Sequence, residues 1–244
     1  MSRTVAIIQA RTGSTRLPGK VLMPLLGKPI LTRVVDRTRR AALVDEVVVA
    51  TTALPSDDAI ERLATEAGWA IVRGSEADLV DRYRAAARAH EAEIVVRITS
   101  DCPLIDPGLI DDVVREIGAS GADYASNTLE PRTYPRGLDV EAFTAAALER
   151  AWAEDTDPAS REHATPYIYR HPEIFRLARV AGSEDNSSHR WCVDTPEDFE
   201  LVRRIYESLG SDRFDWREAL AVVRAHPDWA GLNAGIVQKQ VGRG

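Results

Sequence analysis

The chain has 244 residues, 44% of them hydrophobic and 28% charged, with a net charge of −7. That is enough apolar material for one good core, and the interspersed charges leave no basic stripe of the kind that neutralises a nucleic-acid backbone. No apolar run reaches the ~20 residues of a transmembrane helix, the start of the chain shows no signal-peptide pattern, and Cys102 and Cys192 form no CxxC pair, so a cytoplasmic protein without a disulfide framework or zinc site is expected.

The first half alternates strand and helix. Strands are predicted at 4–9, 46–50, 70–72 and 94–98, with helices at 30–41, 58–67 and 79–90 between them. Such alternation implies βαβ units and a mainly parallel sheet. Val5-Ala6-Ile7-Ile8, Val47-Val48-Val49-Ala50 and Ile94-Val95-Val96 are continuously apolar, as strands covered on both faces are. The predicted architecture is α/β, a three-layer αβα Rossmann-like sandwich.

After Asp101 the pattern changes. A helix at 107–117 is followed by short strands at 123–126 and 138–143 around a loop containing Pro and Arg, with Gly137 permitting a sharp entry to the second strand. Helical segments are predicted at 145–153, 160–170, 196–209, 216–225 and 229–237, and strands at 175–181 and 191–193. Pro196, with Glu197 and Asp198 beside it, suits a first helical turn. No repeat or linker divides the chain, so one domain over 1–244 is expected, with an insertion near 123–182 for acceptor binding or dimerisation.

The segment Gln9-Ala10-Arg11-Thr12-Gly13-Ser14-Thr15-Arg16-Leu17-Pro18-Gly19-Lys20 leads from a buried strand into a small-residue loop with three cations. Backbone N–H groups near Gly13 and Ser14, with Arg11, Arg16 and Lys20 as countercharge, suit a nucleoside triphosphate at the carboxyl end of a strand. The loop matches neither GxxxxGK[ST] nor GxGxxG, which argues against a P-loop NTPase and a dinucleotide-dependent oxidoreductase.

Asp101 leaves the end of the fourth strand in Ser100-Asp101-Cys102-Pro103, where one carboxylate plus substrate phosphates would serve Mg²⁺. Asp194, in Val193-Asp194-Thr195-Pro196, is either a second carboxylate for the same ion or a helix N-cap, with Thr195 an equally good cap. Asp139 and Glu141 share one face of a strand, where they contact metal or acceptor or simply face solvent. Arg132, Arg136, Arg161, His163 and Arg170 gather in the irregular half and suit an anionic acceptor, His163 serving alternatively to cap or pack a helix.

The Gln9–Lys20 segment, Ser100-Asp101-Cys102-Pro103-Leu104-Ile105-Asp106, Tyr134-Pro135-Arg136-Gly137-Leu138-Asp139-Val140-Glu141 and Val193-Asp194-Thr195-Pro196-Glu197-Asp198 together resemble the spore coat polysaccharide protein F family of cytidylyltransferases, related to synthetases of CMP-activated acidic sugars. The likeness spans roughly residues 3–205. It implies a glycosyltransferase-A-like nucleotidyltransferase fold, CTP as donor, Mg²⁺ as cofactor, a small acidic sugar-like acceptor or else a phosphonate or phosphate one, and room for a homodimer. Arg11, Ser14, Arg16 and Lys20 would then meet phosphates, with Gln9, Ala10 and Gly13 in the same loop. Asp101 and Asp194 would hold the metal, and Thr51, Thr52, Arg73 and Gly74 the base and ribose. Arg136, Asp139, Glu141, Arg161 and His163 would serve the acceptor, Arg161-Glu162-His163 resembling a recurrent family segment. Ser100 stands where the family commonly has Gly, which bears on how closely the nucleotide approaches.

Two other readings compete. A glycosyltransferase consuming a nucleotide-sugar would need a DxD-type site, which Ser100-Asp101-Cys102 lacks. A non-catalytic nucleotide-binding module would not need Lys20, Asp101 and Asp194 together.

Overall fold

The computed structural model describes residues 2–237. In chain order its elements begin with β1 (Thr4–Gln9), a small hairpin of β2 (Pro24–Leu25) and β3 (Lys28–Pro29), α1 (Ile30–Thr38) and β4 (Glu46–Thr52). Then come α2 (Asp58–Glu66), β5 (Ala70–Gly74), α3 (Leu79–Ala89), β6 (Ile94–Thr99) and α4 (Pro107–Ser120). The second half holds β7 (Tyr124–Ser126), β8 (Glu141–Thr144), α5 (Ala145–Glu154), α6 (Pro158–Arg161), α7 (Pro166–Arg170), β9 (Leu177–Arg179), α8 (Pro196–Leu209) and α9 (Trp216–Ala225).

The main sheet has seven strands in the order β5-β4-β1-β6-β8-β7-β9. β1 pairs in parallel with both β4 and β6, and β8 runs antiparallel to β6 and β7. The apolar runs of the central strands divide by alternation, as a pleated strand buried on both faces must. Ala6, Ile8, Val49 and Ile98 pack with Val34 of α1, Val113 of α4, Val202 of α8 and Leu220 of α9. Val5, Ile7, Val48 and Val95 pack on the other face with Val80 of α3, Ala147 of α5 and Ile168 of α7. The result is the three-layer αβα sandwich with a mainly parallel sheet that the sequence predicts.

Differences from the expected elements have local causes. The helical patch at 160–170 is two short helices because Pro166 lacks an N–H and pushes the preceding residue out of helical geometry. Segment 191–193 is not a strand, since only a single bridge joins Arg136 and Arg190 before the chain turns toward Asp101. The final helical segment shrinks to a 3-10 turn over Pro227–Gly231. The hairpin of β2 and β3 escapes sequence reading because Leu26 sits at φ 47 beside Gly27 at φ 79, a turn conformation that a leucine does not advertise.

β1 and β6 are neighbours, and the chain after β1 crosses to β4 on its other side. In open α/β sheets the crevice beyond the carboxyl ends of such strands binds ligands. Most of the candidate site residues collect there.

Candidate active site

A cleft of about 830 Å³ opens where β1 and β6 end. One wall is the loop after β1, where Gln9, Ala10, Arg11, Gly13, Ser14 and Arg16 all line the space. The loop is folded onto Thr12, whose carbonyl accepts from Ser14 N–H at 2.8 Å and Gly19 N–H at 3.0 Å. Thr12 is held in turn by Asp57, which accepts from its N–H at 2.7 Å and its hydroxyl at 2.6 Å. A rigid tether thus fixes a loop otherwise made of small and solvated residues.

Lys20 lies at the floor, only 8% exposed, and its ammonium donates to Asp101 Oδ2 and to Asp194 Oδ1, each at 2.6 Å. Burial alone would lower its pKa, but the two carboxylates outweigh that and hold it above the ordinary lysine value. The backbone joins the same segments, since Val193 N–H donates to the Asp101 carbonyl at 2.8 Å. Asp194 Oδ2 accepts from Arg190 Nη2 at 2.7 Å and pairs with Arg16 Nη2 at 2.9 Å. Burial would raise the Asp194 pKa, yet Lys20, Arg16 and Arg190 bring it down to about 2.

The two readings of Asp194 separate cleanly. The N-cap of α8 is Thr195, in a capping box with Asp198, and Asp194 is turned instead into the cleft. Asp198 is fully buried, accepting from Asp194 N–H at 3.1 Å and from Arg190 Nε at 2.9 Å, so it fixes the direction in which Asp194 leaves the backbone.

The far wall comes from the second half of the chain. Arg136, Asp139, Glu162, His163, Tyr169 and Arg170 face the space. Burial and the charge of Arg97 hold the His163 pKa below its ordinary value, so the ring is neutral near pH 7. Asp139 pairs with Arg132 and accepts from Gly137 N–H at 3.2 Å. Ser100 sits between Gln9, whose carbonyl its N–H reaches at 3.2 Å, and Asp101.

Several expected contacts lie elsewhere. Thr51 and Thr52 are fully buried, and the Thr52 hydroxyl is spent on Asp57. Arg73 ties down the following turn through the Thr52 and Leu54 carbonyls, each at 2.9 Å, and pairs with Asp58 and Glu61. Gly74 instead makes room, since a Cβ there would meet Arg82 Cγ at 3.2 Å. Arg161 is bound to Asp78 at 2.6 Å and to the carbonyls of Trp152 and Asp155, joining α3 to the end of α5. Glu141 is 6% exposed and points at Arg97 behind the cleft wall. Strand-end position and charge make these residues candidates, but neither says which way a side chain turns.

Three further arginines shape the site, two of them lining the cleft and one acting through Asp194. Arg82, only 4% exposed, lines the cleft with a buried Nε that has no partner. Arg97 interrupts the apolar run Ile94-Val95-Val96 one residue before Ile98, and a cation inside a buried strand is itself a signal. Arg190 stands four residues before Asp194, a spacing without meaning until the turn between them is known.

The chain is similar along most of its length to known cytidylyltransferases. A family model described as cytidylyltransferase matches residues 5–224. The spore coat polysaccharide biosynthesis protein SpsF of Bacillus subtilis is 32% identical, over 94% of this chain and 98% of its own. A 3-deoxy-manno-octulosonate cytidylyltransferase of Anaeromyxobacter dehalogenans is 33% identical over 84% of this chain and 98% of its own. Among solved structures, a cytidylyltransferase from Leptospira borgpetersenii superposes with a TM-score of 0.91 at 32% identity, covering 98% of this chain and 100% of that one. With a family model spanning most of its length and relatives of this identity along nearly all of it, the chain belongs to the cytidylyltransferase family and is a nucleotidyltransferase.

Proposed function

We propose that the enzyme transfers CMP from CTP to a small, acidic, sugar-like acceptor and releases pyrophosphate, with a divalent cation such as Mg²⁺ in attendance. The observation that carries this reading is the Lys20 ammonium joining Asp101 and Asp194, three groups far apart in sequence, in a cleft lined by the cationic loop. The sugar-like acceptor is supported by the relatives that act in spore coat polysaccharide biosynthesis and on 3-deoxy-manno-octulosonate.

The donor set suits a hard cation. Asp101 and Asp194 offer carboxylate oxygens on one side of the cleft, while burial pushes the neighbouring Cys102 and Cys192 thiols well above their usual range and keeps them protonated. Two carboxylates with substrate phosphates completing the shell is a Mg²⁺ arrangement. When bound there, the ion withdraws charge from the phosphate oxygens it touches.

The chain's own residues do the rest. An acceptor hydroxyl oxygen attacks the α-phosphorus of CTP and gives its proton to solvent, the bond from the α-phosphorus to the bridging oxygen breaks on the opposite side, and that oxygen departs with pyrophosphate. Lys20, kept charged by its carboxylates, offsets charge on the transferring phosphoryl group. Arg11, exposed beside Glu76 at 3.7 Å, and Arg16 hold the departing pyrophosphate. No side-chain nucleophile is needed. The segment 123–182 supplies acceptor-side residues, among them His163 and Arg170.

The test is pyrophosphate release with each of the four NTPs, Mg²⁺ and a panel of sugar acids. Turnover with CTP supports the proposal. Activity only with a preformed nucleotide-sugar indicates a glycosyltransferase, and saturable CTP binding without product indicates a binding module.

A further inference from the structure

A polar network that the mechanism above does not use runs from the cleft wall into the core. Arg97 and Glu141 are cross-strand partners of β6 and β8 and form an ion pair, with Glu141 6% exposed. The second oxygen of Glu141 accepts from the Tyr124 hydroxyl at 2.9 Å and from the Thr165 hydroxyl. Arg97 Nε donates to Gln9 Oε1 at 3.0 Å, and the same oxygen accepts from the Tyr83 hydroxyl at 3.1 Å. Both carboxylate oxygens of Glu141 and the amide oxygen of Gln9 are therefore occupied.

What remains unspent are donors. Among the described residues Arg97 Nη2 and the Gln9 amide nitrogen have no hydrogen-bond partner, neither is a sealed buried atom, and both residues line the cleft. The network dictates this orientation, because turning the Gln9 amide over would set an NH₂ against the guanidinium. Two N–H donors, one of them cationic, are thus held side by side on β1 and β6, where the strands pair Gln9 with Thr99 and Ile7 with Arg97. Neutral His163 faces the same part of the cleft.

We propose that Arg97 is the residue that selects a carboxylate-bearing acceptor, its Nη2 and the Gln9 amide each meeting one oxygen of that carboxylate, and that Glu141 is a positioning residue for Arg97 rather than a contact. This rests on the cytidylyltransferase reading of the site and names its acceptor subsite. Shape favours a carboxylate at this pair of donors, because one guanidinium edge beside one amide matches two oxygens in a plane.

The test uses the full chain with Mg²⁺ and a CTP analogue carrying a methylene bridge between the α and β phosphorus, so that both sites load without turnover. The probes are 3-deoxy-manno-octulosonate, gluconate and glucuronate, each against its own primary amide, titrated calorimetrically. At least one acid should bind about tenfold or more tighter than its amide, the size expected for charge-assisted hydrogen bonds. Arg97→Met combined with Glu141→Gln, which keeps hydrogen-bonding partners for Tyr124 and Thr165, should bring that ratio close to one and leave the affinity for the CTP analogue unchanged. Glu141→Gln alone should lower the ratio only partly, and Arg97→Lys should restore part of it, neither of which a merely structural role would do. Equal binding of acid and amide by the native enzyme, no saturable acid binding, or a ratio that survives in the double variant overturns the assignment. Loss of CTP-analogue binding by the native enzyme would instead overturn the nucleotidyl-transfer reading, so the two failures are distinguishable.

Discussion

A Cβ built on Gly137 would stand 2.5 Å from the Cys192 backbone nitrogen, so these two chain segments touch backbone to backbone. Gly137 also has φ of 98, and its neighbour Arg136 accepts from Trp191 N–H at 2.7 Å. The segment 135–138 is therefore the wall against which 190–194 is pressed, and Asp194 takes its position from that contact.

Gly137→Ala should accordingly damage activity far more than an ordinary left-handed glycine would. The methyl group must push Trp191 and Cys192 away, and displacing catalytic groups by about 1 Å can cost about 100-fold in rate. Gly68→Ala is the control, since Gly68 has φ of 65 and nothing within 4 Å of its Cβ position. That variant should lose about 1–2 kcal/mol of stability and keep its rate. Pyrophosphate release and thermal melting measured on both variants decide the matter, and equal rates would show that the Gly137 contact does not set the site.

Lys20→Ala should abolish turnover and also destabilise the fold. Removing the ammonium leaves Asp101 and Asp194 facing each other without the cation both contact at 2.6 Å, and breaking such a buried pairing costs roughly 3–5 kcal/mol. Arg16 and Arg190 remain on Asp194 and reduce that figure. The two oxygens that Lys20 held, Asp101 Oδ2 and Asp194 Oδ1, are then open to a divalent ion, so millimolar Mg²⁺ should raise the melting temperature of Lys20→Ala more than that of the native chain. Melting curves with and without Mg²⁺ read this directly, and an identical response would argue against a shared cation position.

Much of this was legible in the sequence, for reasons particular to each part. Val5 to Ile8 and Val47 to Ala50 are apolar at every position, which only a doubly covered strand requires, and the sheet's central layer follows. Lys20, Asp101 and Asp194 were marked by loop chemistry and by strand or helix ends. Side-chain direction was not legible. Glu141 sits two residues from Asp139, yet one pairs with Arg97 in the core and the other faces the cleft, because β8 begins only at Glu141. Thr52 and Arg73 act on the site at one remove, through Asp57 and the turn after β4, and such relays depend on contacts that no spacing encodes.

The acid limb of stability should carry the mark of Asp194. Its folded pKa, about 2, lies below the ~3.9 of a free aspartate. Stability from this group is therefore fully present above the unfolded value and lost as pH falls from about 4 to about 2, because the unfolded chain takes up the proton first. Asp194→Asn removes the titration. The gap in melting temperature between the native chain and this variant should be wide at neutral pH and narrow across that window. A gap that stays constant on acidification would mean that the carboxylate gains little from Lys20, Arg16 and Arg190.

Arg37 offers a purely structural contrast on α1, which packs on the sheet face opposite Tyr83 and Tyr124 of the Arg97 network. It is fully buried, donating through Nε to the Ile105 carbonyl at 2.6 Å, through Nη1 to that of Asp212 at 2.8 Å and through Nη2 to that of Phe214 at 3.0 Å, with the Phe214 ring 4.2 Å from its guanidinium carbon. No carboxylate takes these three donors, and burial lowers the Arg37 pKa below the ordinary arginine value. Arg37→Met fits the space but takes a donor from three carbonyls, of which that of Asp212 keeps Arg40, at about 1–3 kcal/mol for each that stays dry and unpaired. Relief of the buried charge offsets part of this, leaving a loss of roughly 3 kcal/mol and a melting temperature lower by about 10 °C for a chain of this size. The affinity for CTP and the turnover number should be unchanged well below the transition, because Arg37 does not line the cleft. A variant that melts normally but loses CTP affinity would mean that the tie between α1 and Ile105 sets the position of Asp101 and is part of the site.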